Sequence, residues 1–266
     1  MKITAHCIVK NEDSWVWFAI NSVLPYVDEV LVCVNGSSDN TLKIIKSIHS
    51  SKIKITEKGS LSPREVVDVR REQIEKTNAD WILILDGDEI WPEEQLQKLL
   101  NRARAVSNDK IALFNRTRNC IGDIFHYLRD ESGNYEIGGI KGNLNLRMIR
   151  KTADLDIVGE YPLEAYIDKN GPIAKQDKRL EFVDCWYLHT SFLTRSSKDV
   201  NKTSGSLGRN KIPEKGNKML EPELPEILFV RKPEFVPNPF FKRGFLYEIL
   251  AEVITPLKML KDKING

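Results

Sequence analysis

Trp81-Ile82-Leu83-Ile84-Leu85-Asp86-Gly87-Asp88-Glu89 begins as five consecutive apolar residues and ends in three acids around a glycine. An unbroken apolar run of this length suits a strand buried on both faces of a parallel sheet, which helices must then cover. The residues upstream supply both elements. Ile3 to Val9 is a β-rich run, followed by the turn Lys10-Asn11-Glu12 and an apolar-periodic helix through Trp15, Phe18, Ala19, Val23 and Leu24. Glu29 to Val34 is a second strand. It ends in Asn35-Gly36-Ser37-Ser38-Asp39-Asn40-Thr41, which can turn sharply and cap a helix carrying Leu42, Ile44, Ile45 and Ile48. Ile53 to Thr56 forms a short third strand. Ser62-Pro63-Arg64-Glu65 has the form of a capping box with proline at the first helical position, predicting a helix to about Asn78. Four strands separated by helices specify an α/β fold with right-handed crossovers.

Ligands of open sheets bind beyond the carboxyl ends of the strands. Those ends deliver Lys10-Asn11-Glu12, Asn35 to Asp39, and Asp86 to Glu89 to one rim. A lone Asp-x-Asp is weak evidence, and Asp154-Leu155-Asp156 is a second instance; only the first follows a buried strand. Gly87 lets the backbone approach a ligand closely. Carboxylates so placed suit Mn²⁺ or Mg²⁺, which complete their coordination with phosphate oxygens and water.

Composition narrows the field. A chain of 266 residues can bury one full-sized core with an appendage. A formal net charge of +2, with no basic stripe among aromatics, argues against nucleic acid as a partner. Cys7, Cys33, Cys120 and Cys185 lie far apart, as expected of buried reduced thiols. Met1 to Thr4 leads directly into a strand, and no run reaches the roughly 18 apolar residues of a membrane span. The expected location is cytoplasmic, at most peripheral on the inner face of the cell membrane.

The segments Ile8 to Glu12, Val27 to Val32, Gly36 to Thr41 and Ala79 to Glu89, in this order and spacing, resemble family 2 glycosyltransferases. The resemblance implies a GT-A fold, a nucleoside-diphosphate sugar donor and transfer with inversion at the anomeric carbon. It assigns the nucleoside to Ile8, Lys10, Asn11, Glu12, Val34, Asn35 and Gly36, the ribose to Asp86 beside Gly87, and the metal to Asp88 with support from Asp86. Arg70 matches an arginine that reaches the donor; its alternative is a solvated helix charge. Similar sequences carry an aspartate for the nucleobase where this chain has Val34. Asn35 offers an amide in its stead, and Asp39 is read either as part of this loop or as a helix cap.

Residues 1–110 are therefore read as the donor half and 111–195 as the acceptor half of one catalytic domain. Ile111 to Arg116, Asn145 to Ile149 and Arg179 to Leu188 add strands. Inverting transfer needs a base on the acceptor side. Gly159-Glu160-Tyr161-Pro162-Leu163-Glu164 lies where related enzymes have a glycine-led segment ending in a base glutamate; Glu164 is the first choice and Glu160 the second. His189 resembles a third metal ligand. Residues 196–239 form a basic, Ser/Gly-rich stretch and a proline-rich strap, with Arg195, Arg209 and Lys211 as cations for a lid over the diphosphate or as parts of a plain linker.

Residues 240–266 form an amphipathic helix with two open readings: docking on the body or on a homodimer mate, and lying on a membrane surface, which would suit a lipid-linked rather than a free glycan acceptor. Rival functions fare worse. A P-loop ATPase lacks its Gly-x-x-x-x-Gly-Lys-Ser/Thr here, and a sugar nucleotidyltransferase lacks its glycine- and arginine-rich first loop. A catalytically silent carbohydrate-binding or scaffold protein on the same fold is the alternative, supported by Val34 and opposed by an intact Asp86 and Asp88.

Overall fold

A computed structural model describes residues 1–133, 135–198 and 213–265, with side chains through residue 260. Strands and helices alternate in the first part as β1 (Ile3–Val9), α1 (Val16–Val23), β2 (Glu29–Asn35), α2 (Thr41–Lys46), β3 (Ile53–Lys58), α3 (Pro63–Lys76) and β4 (Trp81–Asp86). These four strands are mutually parallel in the order β4-β1-β2-β3. Successive side chains of β4 feed opposite sides of the sheet, as its apolar run requires. Trp81, Leu83 and Leu85 pack in one apolar cluster with Phe18 and Ile20 of α1. Ile82 and Ile84 join another with Val67 and Ile74 of α3. The capping box of α3 is formed: Ser62 N donates to Glu65 Oε2 at 2.7 Å and Glu65 N donates to Ser62 Oγ at 3.4 Å.

Beyond β4 come β5 (Glu89–Ile90), α4 (Glu93–Ala105), β6 (Ala112–Ile121), β7 (Asp123–Tyr127), β8 (Tyr135–Ile137), β9 (Ile140–Gly142), β10 (Leu144–Arg150), β11 (Asp156–Val158), β12 (Ala165–Asp168), β13 (Gly171–Pro172), β14 (Leu180–His189), β15 (Asn217–Lys218) and α5 (Phe245–Asn265). β10 lies antiparallel between β4 and β6, extending the order to β15-β7-β6-β10-β4-β1-β2-β3. β14 runs parallel to β6 and its last residues pair antiparallel with β5, so Leu188 faces Ile90 and His189 faces Glu89. This pairing brings His189 to the end of β4. α4, which the sequence reading passed over, buries Leu96, Leu99, Leu100 and Ala103 at helical spacing.

The proline-rich strap takes short 3₁₀ turns at Glu221–Glu223 and Glu226–Phe229 and buries Leu224, Leu228 and Val236. α5 docks on the body, with Ala251 and Thr255 buried. All four cysteines are free and buried, and burial pushes Cys33 up to about 11 and Cys185 up to about 12. Among the described residues, no helix is long and apolar enough to cross a membrane.

Candidate active site

The first two rim loops are joined by hydrogen bonds, and the third packs against the first at Gly87. Asn11, in the left-handed region at φ 53°, accepts from Ser38 N through Oδ1 at 2.8 Å, and its own N–H donates to Ser37 Oγ at 3.1 Å. Glu12 N donates to Thr41 Oγ1 at 2.8 Å. Gly36 has φ 55°, and a Cβ there would stand 2.6 Å from Ser60 N, so only glycine fits this turn. At Gly87 a Cβ would come within 2.6 Å of Val9 Cγ1. That glycine is required for the ends of β4 and β1 to close together, a reason beyond approach to a ligand. Together the loops floor a cavity of about 1160 Å³ whose other wall comes from β6, β10, β12 and the residues after β14.

Charge is dense at its base. Asp88 is buried, with Oδ1 3.4 Å from His189 Nε2 and Oδ2 3.8 Å from Arg195 Nε. Arg195 also pairs closely with the buried Glu12. Asn119 Nδ2 donates to Asn143 Oδ1 at 3.1 Å, which turns Asn119 Oδ1 toward His189 Nδ1 at 3.1 Å. With Nδ1 donating there, Nε2 faces Asp88. Burial pulls the imidazole's pKa down, but the carboxylates of Asp88, Glu89 and Asp86 outweigh it and hold it above the ordinary histidine value. Behind these lies a second ion network. Arg147 Nη2 reaches Asp86 Oδ2 at 3.3 Å and pairs closely with Glu89, while its Nε donates to Tyr187 Oη at 3.0 Å. Glu89 is fully buried; burial pushes its pKa up to about 7 against the pull of Arg147. On the opposite wall Arg70 Nε meets Glu164 Oε1 at 3.2 Å. Glu164 Oε2, Arg70 Nη1 and Glu12 Oε2 are buried with no hydrogen-bond partner.

Residues 5–153 match the family model described as glycosyl transferase family 2. The chain belongs to glycosyl transferase family 2. An uncharacterized glycosyltransferase of Rickettsia typhi is 32% identical over 93 residues, which are 35% of this chain and 30% of the relative. The fold is shared with S. aureus TarS, at TM-score 0.50 and 14% identity over 71% of this chain and 37% of TarS. A TarS fragment of residues 1–349 in complex with UDP-GlcNAc gives TM-score 0.51 at 15% identity, over 71% of this chain and 58% of the fragment. The chain thus spans less than two-thirds of each of these proteins. The likeness confirms the GT-A type of sheet.

In this family 2 member, Ile8, Lys10, Asn11, Glu12, Asn35, Arg70, Asp86, Gly87, Asp88, Glu164, His189 and Arg195 all line the one cavity. Arg70 is buried, which removes the solvated-charge reading. Val34 and Gly36 shape the β2 end from outside the cavity lining. Asp39 accepts from Thr41 N at 2.9 Å and from Ser196 Oγ at 2.6 Å, so it ties the loop to the start of α2 and to Ser196, while the N-cap position itself is Asn40. Glu160 is exposed and lies off the cavity. Arg209 and Lys211 lie outside the described residues. The second Asp-x-Asp stands apart, with Asp156 held by Arg71 at 2.9 Å. Sequence reasoning placed Glu89 at the rim but missed Arg147 and the buried pair the two form. An arginine inside the alternating strand Leu144-Asn145-Leu146-Arg147-Met148 was the available signal, since buried charge needs a partner.

Proposed function

We propose that the chain transfers a sugar from a nucleoside-diphosphate sugar to an acceptor hydroxyl, with inversion. The observation that carries this reading is the meeting, in one cavity, of a metal-suited carboxylate and imidazole at its base with a partly unsatisfied Glu164 and Arg70 on its wall. The nucleoside would lie against Ile8 to Glu12 and Asn35, with Asp86 toward the ribose.

Asp88 Oδ1 and His189 Nε2 fit a divalent cation such as Mn²⁺ or Mg²⁺, one oxygen and one nitrogen facing each other across 3.4 Å. Among the described residues no three His, Cys, Asp or Glu side chains group into a cation site. Two protein ligands suffice where phosphate oxygens and water complete the shell. When bound, the cation neutralises charge on the departing diphosphate. Arg195, held by Glu12 and Asp88, is positioned to turn its guanidinium toward the same phosphates.

On the acceptor side, Glu164 Oε2 takes the hydroxyl proton as the acceptor oxygen bonds to the anomeric carbon. The bond from that carbon to the diphosphate breaks on the opposite face, and the nucleoside diphosphate leaves. Arg70 holds Glu164 through Oε1, and Oε2 has no hydrogen-bond partner, which supports this role. The acceptor, a free or lipid-linked glycan, belongs to the proposal, as does the division at residue 110 into donor and acceptor halves.

A thermal-shift titration tests the reading. UDP, UDP-GlcNAc and the other common nucleotide sugars are added with and without Mn²⁺ to wild type and Asp88→Asn. A metal-dependent rise with one nucleotide, absent in Asp88→Asn, is expected. No rise with any of them would favour the silent carbohydrate-binding alternative.

A further inference from the structure

α5 is attached to the body in the reverse of the usual amphipathic sense. Through residue 258, several of its polar groups bond to the body. Arg243, just before the helix, donates from its backbone to Asp123 Oδ2 at 3.1 Å and from Nη1 to the Lys215 carbonyl at 3.0 Å, and it grips Glu248 through both Nε and Nη2. Thr255 Oγ1 accepts from Lys215 N at 2.8 Å, Glu252 pairs with Lys215 at 2.7 Å, and Lys258 pairs with the buried Glu214. Tyr247 lies so close to Gly122 that a Cβ there would come 2.8 Å from the ring. These contacts fix the rotation of the helix about its own axis.

The outward side is apolar from Phe245 to Leu260. Phe245 is 82% exposed, Leu246 69%, Val253 60%, Leu257 61% and Leu260 58%, and Ile249 and Leu250 lie between them with more than 40% of their surface in water. At about 100° per residue these seven side chains cover one continuous arc of roughly 140°. Monomeric soluble proteins seldom present such a surface without a partner.

We infer that this face rests on a membrane surface bearing anionic headgroups. Charge favours that occupant. Residues 229–266 hold seven Lys and Arg against four Asp and Glu, an excess of three in a chain whose total is +2, so the remainder is slightly negative. Within that count Arg243 is taken up by Glu248 and Lys258 by Glu214, while Glu252 pairs with Lys215. Lys242 stands exposed at the head of the helix. Aromatic and aliphatic side chains on one side with basic residues flanking them are the composition of helices that lie in the plane of a bilayer interface. A second copy of the chain is the weaker fit, because a two-helix seam uses a narrower stripe than this arc.

Vesicle flotation of the full chain decides it, using vesicles of phosphatidylcholine alone and of equal parts phosphatidylcholine and phosphatidylglycerol. The chain should rise with the mixed vesicles, less with the neutral ones and less at high salt. Leu246→Glu with Val253→Glu should cut the bound fraction at least about tenfold while leaving the melting temperature close to wild type, since both side chains are exposed. Should that pair melt early, Phe245→Ala with Leu246→Ala carries the same test. Failure of wild type to float, or a variant that floats equally, overturns the inference. So does a wild-type dimer in sedimentation that the variant abolishes without any flotation. UDP binding, measured on the same samples, reports on the proposed reaction independently.

Discussion

Arg147→Met removes the cation from a fully buried carboxylate. Glu89 has no exposure, and Arg147 is the cation that pulls its pKa down most strongly. Removing one partner of such a pair is strongly destabilising, by about 3–5 kcal/mol. For a chain of this size that lowers the melting temperature by about 6–20 °C. The loss should depend on pH. A carboxyl whose folded pKa is raised, here from 4.5 to about 7, keeps its stability contribution at low pH and loses it as pH rises through that window. Without Arg147 the folded pKa climbs further, so the variant loses more near about pH 8 than near about pH 5.5. Urea denaturation of wild type and variant at both pH values measures this. Adding Glu89→Gln should recover part of the loss. A cost below about 1 kcal/mol near pH 8, or one equal at both pH values, would refute the assignment of a buried ion network behind Asp86.

Glu164→Gln should slow transfer by about 10²- to 10⁴-fold while leaving nucleotide binding intact, measured by turnover and by calorimetry; an unchanged rate would move the base elsewhere. Asp88→Asn should abolish the metal dependence of nucleotide binding with little effect on folding, checked by titration with and without Mn²⁺. Ser62→Ala opens the capping box of α3 and should cost about 1 kcal/mol in chemical denaturation, whereas Ser62→Asp should restore it.

The first half of the sheet was legible because its signals are local. The apolar run at 81–85 specifies a doubly covered strand, and Ser62 and Glu65 satisfy each other within one turn. Asp86, Asp88 and Asn11 are delivered by strand ends, which topology alone places together. Which residues pair at the site is decided by long-range contacts, and a local pattern that flags a residue such as Arg147 does not name its partner. Arg70 meets Glu164 across 94 positions, and Arg147 meets Glu89 across 58. Choosing between Glu160 and Glu164 depended on a loop path, which turns one outward and the other into the cavity. The periodicity of α5 revealed an apolar face but not its direction, since direction is set by what Arg243, Thr255 and Lys258 bind on the body. α4 had a readable pattern in Leu96, Leu99 and Leu100.

The β5–β14 pairing bears on how members of this family can be recombined. Asp88 carbonyl accepts from Thr190 N at 2.9 Å, Glu89 depends on Arg147, and Asp88 faces His189, so the loop at the end of β4 is completed by residues 58 to 102 positions downstream. A chimera crossed over near residue 110 would separate one parent's acids from the cations and backbone donors that hold them in shape. Grafting another member's rim loops onto this scaffold therefore calls for Arg147 and the 188–195 segment to travel with the first hundred residues, as a discontinuous exchange unit.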